Sequence, residues 1–186
     1  VVVCTIIGIG LANENIFEIN ILKIIAWWII SPLAIWIINY GIGKYLYFKI
    51  INYLVANYEE KKVNLVLKIA LISSGCFLAF FAGANNSANA SATLVSLNLI
   101  NAKDAALIVG FFMALGALMF GGRIIETVAK GITDICLIRA ISVQATSGIF
   151  LCIASIFGVP ISLAEIITSG IIGFSCANSG FSRTIK

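Results

Sequence analysis

GANNSANASATL, residues 83–94, sets three asparagines, two serines and a threonine between LISSGCFLAFFA (71–82) and AALIVGFFMALGALMF (105–120). Whether this run is a surface loop or a polar site enclosed by a membrane decides how the rest of the chain is read. Composition answers first. The 186 residues are 61% hydrophobic and only 11% charged, against about 25% charged residues in an ordinary soluble domain. The mean hydropathy is +1.08. So little polar surface cannot cover a soluble fold, and an all-α integral membrane protein is expected, with the lipid bilayer as its solvent.

Charge and residue types exclude several functions. The net charge is +4 with Lys and Arg scattered, so no basic face suits a nucleic acid and none is expected as a partner. Histidine is absent, which removes the commonest metal ligand and the commonest general base. Cys4, Cys76, Cys136, Cys152 and Cys176 stand singly in apolar surroundings, a pattern of packing or lipid-facing residues and not of a disulfide or metal framework. No nucleophile–base pair is visible, so the expectation is a protein without cofactor or metal that performs no covalent chemistry.

Apolar segments mark the helices. Ile24–Ile42 is long enough to cross the hydrocarbon, which takes roughly 20 residues, and Pro32 is a candidate kink. Trp27, Trp28 and Trp36, followed by Tyr40, Tyr45 and Tyr47, resemble an interfacial aromatic belt. Lys44–Tyr58 is amphipathic, and Glu59-Glu60-Lys61-Lys62 reads as a solvated loop. Val63–Phe81, Ala105–Phe120 and Ile135–Phe157 are further spans, the last broken at Gly148, and Ile161–Ala177 follows the turn at Gly158-Val159-Pro160. Lys44, Lys49, Lys61 and Lys62 follow the first full span while Glu14 and Glu18 precede it, which places the 44–62 loop in the cytoplasm. VVVCTIIGIGLA (1–12) has neither Met nor a basic start. It looks like the end of a helix already under way, and the chain is expected to be a fragment.

Polar groups in hydrocarbon cost several kcal/mol each unless paired, so the 83–94 run needs partners. A re-entrant hairpin meets that need: one half-helix starts at Gly83, turns near Ser96–Asn98 and returns toward the next span. The exposed half-helix N-terminus would attract an anion. Asn85 and Asn89, four apart, share a face, with Asn86 and Ser87 beside them, and amides both donate and accept. The competing reading is that these side chains join helices by interhelical hydrogen bonds.

A second break lies at Gly158–Glu165. Pro160, Ser162 and Glu165 suit a helix start, yet an acid within an apolar segment is also a functional candidate. Arg123, Glu126 and Lys130 form one charged helical face, that of an interfacial helix or a gating element. Gln144, Thr146 and Ser147 face either a partner helix or a cavity. Paired discontinuous segments of this kind point to a transporter's midplane site.

GANNSANASATLVS, GGRIIETVAKGIT and ASIFGVPISLAEIITSGIIGFSCA, in this order and spacing, resemble the inorganic phosphate transporter family. The likeness is to that family's C-terminal repeat, over residues 70–180, and VVVCTIIGIGLA looks like the tail of the N-terminal repeat. TIIGIGLA (5–12) echoes SGIIGFSCA (169–177). The resemblance implies transmembrane helices with re-entrant helical hairpins, forming half of an inverted-repeat transporter. On that reading residues 1–12 end a truncated N-terminal repeat, 13–62 are a transmembrane helix and cytoplasmic linker, and 63–186 are the C-terminal repeat. It implies import of inorganic phosphate across the plasma membrane, coupled to sodium or protons. Asn85, Asn86, Ser87, Asn89 and Ser162 would bind substrate, and Asn86, Gln144 and Glu165 the coupling ion.

The family usually has Asp at Asn86 and Glu at Gln144, and it follows Ser162 with two Thr and often His where Leu163, Ala164 and Glu165 stand here. An amide at Asn86 does not repel sulfate, so a sulfate permease is the alternative substrate reading. Glu165 would be the proton-coupling acid if desolvation raised its pKa. A non-transporting membrane subunit, its polar residues kept as helix contacts, is the alternative of another class. A homodimer that supplies the second half from another copy requires insertion in both orientations.

Overall fold

A computed structural model describes residues 18–96, 99–131 and 137–179, and all are helices or short connections. In chain order these are α1 (Glu18–Gly41), a π-helical turn (Ile42–Leu46), α2 (Tyr47–Asn57), α3 (Glu60–Ser96), α4 (Ala102–Gly131), α5 (Leu137–Ile156) and α6 (Leu163–Ser179). Among the described residues four stretches are long and apolar enough to cross a membrane: Leu22–Leu54, Glu60–Ala92, Ala102–Gly122 and Leu137–Ile156. Large apolar side chains crowd the outside, among them Leu118, Ile156, Leu107 and Phe80, as expected where the solvent is lipid. The chain is an integral, multi-pass membrane protein. The 1–12 segment, Glu14, Cys4 and Cys136 lie outside the described residues, as do the side chains of Glu18, Arg123, Glu126 and Lys130.

Two expected breaks are absent. α3 runs unbroken through Gly83 for 37 residues, about 55 Å at 1.5 Å per residue. No proline interrupts it, and some of its polar side chains bond within the helix: the Ser91 hydroxyl donates to the Ser87 carbonyl at 2.8 Å and the Asn89 amide to the Asn85 side-chain oxygen at 3.2 Å. Its end at Ser96 coincides with the expected turn. α5 likewise continues through Gly148, where a Cβ would meet the Phe77 ring; that glycine serves close packing against α3. The Glu59–Lys62 run is exposed, but from Glu60 onward it forms the first turn of α3 and not a loop.

The break after α5 is present. Phe157 and Gly158 form a turn, with Gly158 at φ 65°, a conformation that favours glycine. The chain then reverses into α6, so α5 and α6 make a helical hairpin whose tip is Gly158–Ser162. Contact order fixes the directions. α3 runs parallel to α5, pairing Ser74 with Gln144, Gly148 with Phe77 and Asn85 with Val159. α1 runs antiparallel to α5 and parallel to α6, pairing Trp27 with Phe157, Asn39 with Gly170 and Gly43 with Ala177. At Gly173 a Cβ would overlap the Trp36 carbonyl, so only glycine lets α1 and α6 approach this closely. The core gathers round the tip: Ile35, Leu78, Leu151, Val159, Ile161 and Ile166 are buried. α4 packs on α3 and leaves most of its large side chains exposed.

Candidate functional site

Non-helical backbone within apolar surroundings must find donors and acceptors from its neighbours, and the hairpin tip does. The Asn85 amide on α3 donates to the Val159 carbonyl at 3.3 Å. From the other side the Trp28 indole N–H on α1 donates to the Pro160 carbonyl at 2.9 Å. Val159 N–H turns back to the Ala154 carbonyl at 2.9 Å. Two adjacent carbonyls are thus gripped from two helices. α3 then continues eleven residues past Asn85 to Ser96, about 16 Å, so the tip meets α3 partway along its length.

Around this junction the expected substrate residues divide. Asn85 is buried and fully engaged, since its carbonyl oxygen also accepts from the Asn89 amide at 3.2 Å. Asn86 is exposed, and Ser87 and Asn89 are half-buried; Asn86 and Asn89, three apart, share a face. Ser162 is exposed; its hydroxyl accepts from the Glu165 N–H at 3.5 Å and caps α6. Val159, and not Ser162, is the tip residue that meets Asn85. Glu165 is exposed on the first turn of α6. It lines a shallow groove of about 370 Å³ with Pro32, Ala164, Thr168 and Ser169.

Gln144 is not gathered with Asn86 and Glu165. Its carbonyl oxygen accepts from Ser74 at 2.8 Å, and Ser74 lies eleven residues before Asn85 on α3, about 16 Å along the axis. Thr146 faces a partner helix: its hydroxyl accepts from Asn39 at 2.9 Å. Asn39 also donates to the Ile35 carbonyl at 3.0 Å and accepts from Ser142 at 2.7 Å. Ser147 is fully buried with its hydroxyl unpartnered. Arg139 lays its guanidinium over the buried Phe174 ring at 5.7 Å, with Nε unpartnered. Cys76, Cys152 and Cys176 are free thiols, exposed, half-buried and buried in turn.

Sequence reasoning missed Trp28, Asn39, Ser74 and Ser142. Asn39 carried a signal, an amide inside IWIINYG at the end of an apolar run. Trp28 was read as part of an interfacial belt, whereas its N–H is held by the tip.

Residues 52–185 match the phosphate transporter family, and the chain belongs to it. Among relatives, it is 36% identical over 181 residues to the sulfate permease CysP of Bacillus subtilis, covering 97% of this chain and 49% of that protein. It is 26% identical over 178 residues to the "Putative phosphate permease MJ0630" of Methanocaldococcus jannaschii, covering 93% and 53%. A third, the "Putative phosphate permease TK2061" of Thermococcus kodakarensis, is 35% identical over 116 residues, 58% of this chain and 29% of that protein. The chain thus spans about half the length of the first two. No solved structure matches it significantly.

Proposed function

We propose that the chain is one half of a secondary carrier that moves a tetrahedral oxyanion, inorganic phosphate or sulfate, across the plasma membrane in symport with sodium or protons. One observation carries this reading: exposed Asn86 and half-buried Asn89, three residues apart, give an apolar helix an outward polar face beside the hairpin tip, with half-buried Ser87 further round the helix. Lipid offers such a face no hydrogen bonds, so it belongs against water, an ion or the complementary half of the carrier. Amide and hydroxyl donors suit an oxyanion, and Ser162, three residues from Val159, offers another. Glu165 at the neighbouring groove is the acid suited to coupling a proton. Gln144, with its oxygen engaged by Ser74, fits a tether between α3 and α5 better than an ion ligand.

Between the two anions, the residues favour sulfate. Hydrogen phosphate brings a proton that a carboxylate accepts well, and Asn86 is an amide. The sulfate permease relative is also similar across nearly the whole chain. The test is uptake of labelled sulfate and labelled phosphate by the native carrier and its Asn86→Asp variant, each competed with the other anion. Preference for sulfate, moving toward phosphate in the variant, is expected. Equal preference in both proteins would remove Asn86 from the selectivity argument.

A further inference from the structure

We infer that Trp28 is a positioning residue for the substrate site, holding the hairpin tip so that Ser162 and Glu165 keep their places beside α1. The inference rests on the carrier reading above and adds to it a residue that touches no substrate. The Pro160 carbonyl belongs to non-helical backbone and has the Trp28 indole as its donor at 2.9 Å. Neighbouring side chains on α1, Ile25, Ile29 and Ile30, are exposed and apolar and offer that carbonyl no other donor. One turn further along α1, Pro32 lines the groove with Ala164 and Glu165. Trp28 and Pro32 therefore flank the segment that carries Ser162 from the same side. The grip is also asymmetric. Asn85 holds the Val159 carbonyl at 3.3 Å while its own oxygen is shared with Asn89, whereas Trp28 has a single, shorter bond across 132 residues of sequence.

Trp28→Phe keeps an aromatic ring and deletes only the N–H and part of its bulk. Trp36→Phe is the control, because Trp36 stacks on Tyr40 at 5.5 Å away from the tip. Two quantities are measured in the native carrier: the KM and maximal rate of oxyanion uptake, and the rate at which a hydrophilic maleimide labels Ser162→Cys in a background without other cysteines. Trp28→Phe is expected to raise KM about three- to tenfold, the worth of one neutral hydrogen bond, with the maximal rate within about twofold and labelling faster by a similar factor. Trp36→Phe is expected to change neither. Unchanged labelling, or faster labelling with unchanged KM, would overturn the inference. A parent carrier that moves neither anion would instead defeat the carrier reading, while the labelling comparison still judges the grip on the tip.

Discussion

The amide of Asn85 donates to the carbonyl of Val159 at 3.3 Å, across 74 residues of sequence. This bond joins the polar stretch of α3 to the non-helical backbone of the hairpin tip in the core. It assigns Asn85 to holding the tip, with half-buried Asn89 bonded to it, and leaves Asn86 exposed. Asn85→Ala removes the donor from the buried carbonyl and the acceptor from Asn89, and leaving a buried group unsatisfied costs about 1–3 kcal/mol. The variant is expected to melt at lower temperature in detergent, and an unchanged melting curve would show that the bond is dispensable.

Gly173 lies against the Trp36 carbonyl so closely that a Cβ would overlap it. Gly173→Ala should separate α1 from α6 at a cost of about 1–3 kcal/mol or more. Gly41→Ala, with open space around the new methyl, is the matched control. Thermal stability of the two purified variants distinguishes them, and equal stability would contradict the close approach.

Asn39 joins α1 to α5 through both Ser142 and Thr146. Such polar contacts between membrane helices average about 0.6 kcal/mol each. Asn39→Leu removes the acceptor of the Ser142 hydroxyl and the donor to Thr146, whose own hydroxyl keeps its bond to the Ser142 carbonyl, so a loss of about 1–2 kcal/mol is expected. Thr146→Val in that background should then cost little more, because its partner is already gone. Additive losses in this cycle would show that the two side chains act independently.

How legible this was in the sequence differs between the helices and the contacts. Apolar runs marked the long helices, though not the polar second half of α3, because a span of hydrocarbon demands about 20 such residues. The break at Gly158–Pro160 was also readable, from the glycine and proline chemistry of turns. Gly83 and Gly148 misled, for opposite reasons. Around Gly83 Asn89 and Ser91 bond within their own helix and Asn85 bonds to the hairpin tip, so polarity there did not end it. Gly148 is a contact point for Phe77, a requirement set by another helix. The grips of Trp28 on Pro160 and Asn39 on Thr146 span 132 and 107 residues, and no local pattern encodes such pairings.

Glu165 stands on the first turn of α6 beside the tip. If it couples a proton to transport, Glu165→Gln abolishes the pH dependence of uptake while leaving anion competition intact. Uptake measured across the pH range in native and variant carriers checks this. A pH profile that survives the substitution would return Glu165 to the role of a helix-start residue.

The central claim is that the outward polar face of α3 meets a wet, anion-binding path. Its most direct test is thiol labelling at Asn86→Cys in the native carrier, with the other cysteines replaced, using a hydrophilic maleimide with and without sulfate or phosphate. The account predicts ready labelling that either anion slows, sulfate at the lower concentration. A residue that reacts only with a lipid-soluble reagent, or whose labelling neither anion affects, would contradict it and leave the asparagines as contacts between helices.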